Sequence, residues 1–254
     1  MKRSARIIHA AAAGTAALLV SCLASAQSAE EILEKVDEAG LAETSRMELT
    51  QKVVGPGGGT RTFRMVSHAA GGLEKGLTEY LEPSQVRGMK ILTLDDGDDI
   101  WVYFPRTNRT RKIASSARNR RVQGSDFTYD DMATGRMAEQ WSGELLGSDE
   151  LDGDDCYKLS IEPTDKGPQT YSKAVAWVRK ADHAPLRVDY WDLDGDRCKR
   201  LVMGDYREID GVLLPFEYTM TNLLDGGRTE MRVDEAEVGV SLRSSMFNQA
   251  SLGR

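Results

Sequence analysis

The chain encodes a mainly β protein with a few helices, built on an antiparallel sheet of about eleven strands. Five Asp-Gly pairs, at 96–97, 152–153, 194–195, 210–211 and 225–226, punctuate it. Asp-Gly between alternating segments is the strongest short-range hairpin signal, because a type I′ turn needs positive φ at both central residues. The segments between these pairs alternate apolar and polar residues with the period of a half-buried strand. Helical periodicity is confined to a stretch near the start, a short piece near 128–134 and a short closing segment.

Taken in order, the first residues carry Lys2, Arg3 and Arg6, an apolar run from Ile7 to Val20 and the small-x-small site Ala24-Ser25-Ala26. That is the pattern of a secretory signal peptide, so residues 1–26 are expected to be removed and the protein to work in the periplasm. Leu19-Val20-Ser21-Cys22 also fits a lipoprotein processing site, which leaves a lipid anchor at Cys22 as the alternative. Ser28-Ala29-Glu30-Glu31 is a capping box that opens a helix over about 28–40, with Ile32, Leu33, Val36 and Ala39 on one face and Gly40 at its end. Gly55-Pro56-Gly57-Gly58-Gly59 marks a looser turn. Ile100 to Phe104 is apolar on both faces and is expected to be covered on both. Further strands place Tyr157, Leu159 and Ile161 on one face, then Leu186, Val188 and Tyr190, then Phe216, Tyr218 and Met220, then Met231 and Val233. Ser244 to Leu252 reads as a closing helix with Phe247 docked.

One initial helix cannot cover one face of eleven strands. The sheet must therefore curl toward itself, as an incompletely closed barrel with helices in its interior, which leaves an apolar cleft. Residues 27–254 form a single domain on this reading. Cys156 and Cys198 fall at opposite ends of non-adjacent strands and are expected to be free. With only His68 and His183 after residue 26 and no cysteine cluster, no zinc site or other cofactor is expected. Loss of the three leader cations takes the net charge from −7 to −10, which argues against nucleic acid as a partner.

Four blocks then carry a family resemblance: Arg87-Gly88-Met89-Lys90-Ile91-Leu92; Asp99 to Pro105; Arg109-Thr110-Arg111-Lys112-Ile113; and Gly124-Ser125-Asp126-Phe127 with Tyr129-Asp130-Asp131-Met132. They resemble the outer-membrane lipoprotein-sorting protein family, whose fold is similar to LolA and LolB. Asp210 to Pro215 and Phe247 extend the match, and Lys112 stands where the family tends to have arginine. The resemblance implies an unclosed antiparallel β-barrel with helices plugging its concave face, and an acyl chain or lipid as cargo; it does not imply that the protein carries lipoproteins, although the expected cargo is an acyl chain, lipid or lipoprotein. No enzymatic activity is expected, and the resemblance points to an inner-membrane transporter of the resistance-nodulation-division (RND) type as a possible partner. A non-carrying periplasmic adaptor of such a transporter is the second reading. The protein is expected to be a monomer.

The cavity expected on this basis is lined by Trp101, Tyr103, Tyr157, Leu159, Ile161, Val175, Trp177, Leu186, Val188, Tyr190, Phe216, Tyr218 and Met220. A filled core is the alternative for each of them. Nine methionines after Met1 add adaptable apolar surface. Hiding a sixteen-carbon chain is worth on the order of 12 kcal/mol at about 0.8 kcal/mol per methylene, which only a cavity can supply. Between Arg106 and Arg121 stand seven basic residues (Arg106, Arg109, Arg111, Lys112, Arg118, Arg120 and Arg121) and no acidic one. Three uses remain open for this segment: a solvated charge run, internal neutralisation of the acidic turn 95–99, or docking onto a lipid phosphate or acidic partner. Arg87, Gly88, Gly124, Ser125, Asp126 and Phe127 are the family-motif residues, with Ser125 or Asp126 as a helix cap. A serine hydrolase would need a histidine beside Ser125. Asp192 to Asp196 lacks the order of an EF-hand and reads as a hairpin turn.

Overall fold

The computed structural model describes residues 27–133 and 135–253. Residues 1–26, where the signal peptide and Cys22 anchor are expected, lie outside the described residues, as does Thr134 within the stretch 128–134. Helix α1 (Ala29–Gly40) begins with the expected capping box: Ser28 Oγ accepts from the Glu31 amide, and Glu31 Oε2 accepts from the Ser28 amide. Thirteen strands follow, two more than expected. They are β1 (Thr44–Val54), β2 (Thr60–Ala70), β3 (Lys75–Glu82), β4 (Lys90–Leu94), β5 (Asp99–Phe104), β6 (Arg109–Lys112), β7 (Trp141–Leu151), β8 (Asp154–Pro163), β9 (Lys173–Arg179), β10 (Pro185–Trp191), β11 (Arg197–Ile209), β12 (Val212–Asn222) and β13 (Arg228–Val238). All pair antiparallel in one sheet ordered β6-β5-β4-β3-β2-β1-β13-β12-β11-β10-β9-β8-β7. A short helix α2 (Met137–Gln140) precedes β7.

The sheet is two meanders joined through β1 and β13, with β6 and β7 as its edges. It curls, and the contacts of α1 show why. The helix touches both the edge strand β7 and β12, which stand five strands apart in the sheet order. At about 4.8 Å per strand a flat sheet would separate these by roughly 24 Å, twice the width of a helix. Ile32, Leu33 and Val36 are buried against Leu159, Ile161, Ala176 and Val188, so half the sheet wraps around α1. The other half is filled by the segment after β6: Ile113, Val122, Tyr129 and Met132 pack on Leu49, Phe63, Tyr80, Ile91, Val102, Phe216 and Val233. The long loop is thus a second plug.

Both faces of β5 are covered, as its sequence requires. Ile100 and Val102 are fully buried in the inner cluster. Trp101 and Tyr103 point the other way, into a cluster with Leu92, Phe247 and Leu252. The closing segment does this with two 3-10 turns (Ser244–Phe247 and Gln249–Ser251) rather than a helix. Asp152-Gly153 and Asp210-Gly211 are two-residue turns with positive φ at both residues. Cys156 and Cys198 are free and buried.

Candidate functional site

A cavity of about 320 Å³ opens beside the C-terminal half of α1. Val36, Ala39 and Leu41 bound it from the helix side, Met47, Ala69 and Leu73 from β1, β2 and the turn after it, and Leu213, Leu214, Pro215 and Tyr218 from β12. Ala184, Pro185 and Tyr206 complete it, with Met137 of α2. Such a lining is suited to an alkyl chain, and the volume is at the small end of the ~300–1,000 Å³ typical of ligand sites.

Most polar groups at this cavity are already engaged. Both Asp37 carboxylate oxygens accept from backbone amides at 2.9 Å, one from Met137 and one from Ala138, tying α1 to α2. Burial outweighs these bonds and holds the Asp37 carboxyl above its ordinary value. The Tyr206 hydroxyl donates to the Pro185 carbonyl. Burial pushes the Tyr218 hydroxyl up to about 12. His183 is the exception: its Nε2 is buried without a hydrogen-bond partner. Burial, then the charge of Lys35, lowers the His183 pKa, so the imidazole is neutral near pH 7. It stacks on Tyr157 at 6.2 Å. The cavity wall is therefore mainly apolar, with Ser45, Ser67, Asp37 and His183 as its polar or titratable lining residues besides the tyrosines.

Of the residues assigned to a cavity from the sequence, only Tyr218 lines this one. Leu159, Ile161 and Val188, with Tyr157 and Tyr190 packed beside them, form core under α1. Phe216 lies under the loop, and Met220 is buried. Trp177, Val175 and Leu186 belong to a separate cluster with Cys156. Trp101 and Tyr103 face the closing segment. The difference has a physical cause: strand alternation marks which side chains point inward, but α1 and the loop decide which of these are covered.

The basic segment divides in the same way. Arg118 is buried and donates to Asp130 Oδ1 at 3.1 Å and to the carbonyls of Gly97 and Asp98 at 2.7 and 2.5 Å. Arg121 pairs with Asp225 at 2.5 Å and with the buried Asp126 at 3.5 Å. Lys112 pairs with Asp99 and lies over the Trp101 ring. Arg118 is thus an internal tie, whereas Lys112 and Arg121 are exposed cations held in ion pairs. Arg106, Arg109, Arg111 and Arg120 are exposed and make no ion pair among the described residues.

The family-motif residues fasten the loop. Asp126 accepts from the Thr229 hydroxyl at 2.8 Å and donates its own amide back to that oxygen at 2.8 Å, which pins the loop to β13. Burial raises the Asp126 carboxyl, against the bond from Thr229 and the charge of Arg121. Ser125 is fully buried and its hydroxyl donates to the Phe127 carbonyl, not to a histidine. Neither Ser125 nor Asp126 caps a helix, because residues 129–132 form a turn in which Thr128 and Asp131 bond one another. Gly124 has φ +70, and a Cβ there would collide with the Arg61 guanidinium. Gly88 turns the chain at φ +77, and Arg87 Nε donates to the Leu81 carbonyl.

Sequence reasoning missed two further anchors. Lys199 reaches Asp131 at 2.6 Å, and Tyr171 donates to the other oxygen of that carboxylate at 2.6 Å. On the outer face Asp189 is held by Arg187, Arg197 and Arg200. An isolated Lys or Asp within a strand gives no local sign of such a partner. Asp192 Oδ1 accepts from the amides of Asp194 and Asp196, which makes the 192–196 segment a self-bonded turn.

A family model whose description reads "Uncharacterized protein"-like matches residues 72–254. Among solved structures, a domain assigned to the outer membrane lipoprotein-sorting proteins from Vibrio parahaemolyticus is 25% identical, with a TM-score of 0.82 over 89% of this chain and 98% of that one. A DUF1329 family protein from Desulfovibrio piger is also 25% identical, with a TM-score of 0.82 over 88% and 97%. A LolA superfamily protein from Nitrosomonas europaea shares the fold at 22% identity and a TM-score of 0.73, over 88% and 98%. A search of curated proteins finds no match.

Proposed function

Because the chain belongs to the outer membrane lipoprotein-sorting proteins of LolA-type fold, we propose that it is a periplasmic carrier that shields an acyl chain of a lipid or lipoprotein. The observation that carries this reading is the apolar cavity between α1 and the inner face of β1, β2 and β12. Its lining offers alkyl groups from several strands, with few polar side chains among them. An acyl chain fits this chemistry, because the tail replaces water against the wall. No catalysis is needed for that task. An inner-membrane transporter is the natural donor of such cargo.

The adaptor reading draws on a different fact, that α1 and the loop already fill most of the inner face. The two separate in one experiment. Protein purified from the periplasm is extracted for mass spectrometry of bound lipid, and the emptied protein is titrated with a fluorescent fatty acid. The carrier binds the probe, and Leu213→Trp, which fills the cavity, weakens binding at least tenfold. Protein that is empty as isolated and takes up no probe is an adaptor.

A further inference from the structure

A second groove, of about 350 Å³, lies between the turn after β3, the end of β5 and the loop. Val86, Met89, Phe104 and Pro105 supply its apolar lining, and Arg106 and Arg111 stand at it. It shares no lining residue with the cavity beside α1, so its ligand is independent of the carrier reading.

The register explains how two arginines come to border apolar surface. Arg111 pairs across from Val102, and Arg109 from Phe104, in the antiparallel ladder. Directly opposed residues share a face. Val102 and Phe104 belong to the inner cluster, so Arg109 and Arg111 extend that inner face past the last apolar strand onto the edge strand β6. Neighbouring cations in the same segment have partners: Lys112 has Asp99, Arg118 has Asp130 and Arg121 has Asp225. Arg106 and Arg111 have no ion pair or hydrogen bond within the described residues, although the chain holds 40 acidic residues. A groove with an apolar lining and two uncommitted guanidinium groups matches an amphiphile with an anionic head. Arginine's planar fork engages a phosphate through two parallel N–H···O bonds.

We propose that this groove binds an anionic phospholipid, its phosphate held by Arg106 and Arg111 and part of an acyl chain lying along Val86, Met89, Phe104 and Pro105. Inorganic phosphate would leave the apolar lining uncovered. An acidic peptide would engage the arginines through carboxylates instead, and the test separates it.

Calorimetric titration with lysophosphatidylglycerol and lysophosphatidylcholine, each below its micellar concentration, reads the headgroup preference directly. The wild-type protein is expected to bind the anionic lipid roughly tenfold more tightly, the equivalent of one charge-assisted contact. Arg106→Gln with Arg111→Gln should abolish that preference while leaving the circular dichroism spectrum unchanged, since both side chains are exposed. Leu213→Trp, in the other cavity, should keep it. The proposal is overturned if the wild type shows no preference, or if the preference survives the double substitution. It is also overturned if equimolar inorganic phosphate or an oligoglutamate peptide displaces the anionic lipid.

Discussion

Within one run of basic residues, burial decides what each cation does. Arg118 satisfies a carboxylate and two carbonyls inside the fold. Truncating it would strand Asp130, whose side chain is fully buried. Arg118→Ala is expected to cost about 3 to 5 kcal/mol, the range for breaking one side of a buried pair. Arg120→Ala, on an exposed side chain two residues away, should stay within about 0.5 kcal/mol. Urea unfolding of the two variants checks the contrast, and equal midpoints would refute the anchor role. Asp189 gives a pH-dependent counterpart. Burial alone would raise its carboxyl, but the hydrogen bonds from Arg200 and Arg187, with their charges, outweigh that and hold it below 3.8. Its stabilisation is therefore fully present above about pH 3.8, and is lost as pH falls through the lower folded value. Asp37 and Asp126 have the opposite sign, because burial raises both and their protonation favours the fold. Asp189→Asn should cost about 2 kcal/mol at pH 7, discounted for the partly exposed arginines. The gap between variant and wild type should close as the pH is taken below 3.8. A gap that stays constant from pH 6 to pH 3 would exclude a charged role for Asp189.

Helices and strands are legible in the sequence where local chemistry marks them, and obscure where a distant segment decides. The capping box locates the start of α1 because Ser28 and Glu31 satisfy each other within four residues. Asp152-Gly153 and Asp210-Gly211 locate two hairpins because left-handed φ at both positions favours that pair. The expected strand count falls short where other residues take the strained position. Asn108 and His183 have positive φ in the turns after β5 and β9, and neither stands in a residue pair that announces a turn. The inner face of β8 is evident from Leu159 and Ile161, but not its fate, since what covers it is Ile32 and Leu33, more than a hundred positions away. The loop is harder still. Val122, Tyr129 and Met132 are scattered among polar residues with no helical or strand period, yet all three plug the first half of the sheet. The ion pairs that fix it, Arg118 with Asp130 and Lys199 with Asp131, join residues 12 and 68 positions apart.

The curled sheet holds two plugs that are secured very differently, and this asymmetry says where it opens. The loop is fixed by buried ionic and hydrogen-bonded ties to β11, β13 and the turn 95–98. Releasing it would expose several charged pairs without partners, which is costly. Helix α1 is held mainly by apolar contact, with Asp37 on the amides of Met137 and Ala138 as its central polar tie. The cavity lies beside α1, not beside the loop, so the more weakly tied plug is the one next to the space that can take a chain. A volume of about 320 Å³ is small for a long acyl chain, and cargo entry should therefore displace α1 from the sheet. Gly40 and Leu213 offer a direct test: a Cβ on Gly40 would sit 3.5 Å from the Leu213 carbonyl oxygen. In Gly40→Cys with Leu213→Cys, oxidation links the helix end to β12, and thiol counting confirms the bond. Uptake of a fluorescent fatty acid should fall at least tenfold in the oxidised protein and recover with dithiothreitol, while Arg118 and the loop ties remain untouched. Full uptake by the cross-linked protein would mean that α1 is a fixed part of the core, and that a chain enters past some other edge of the sheet.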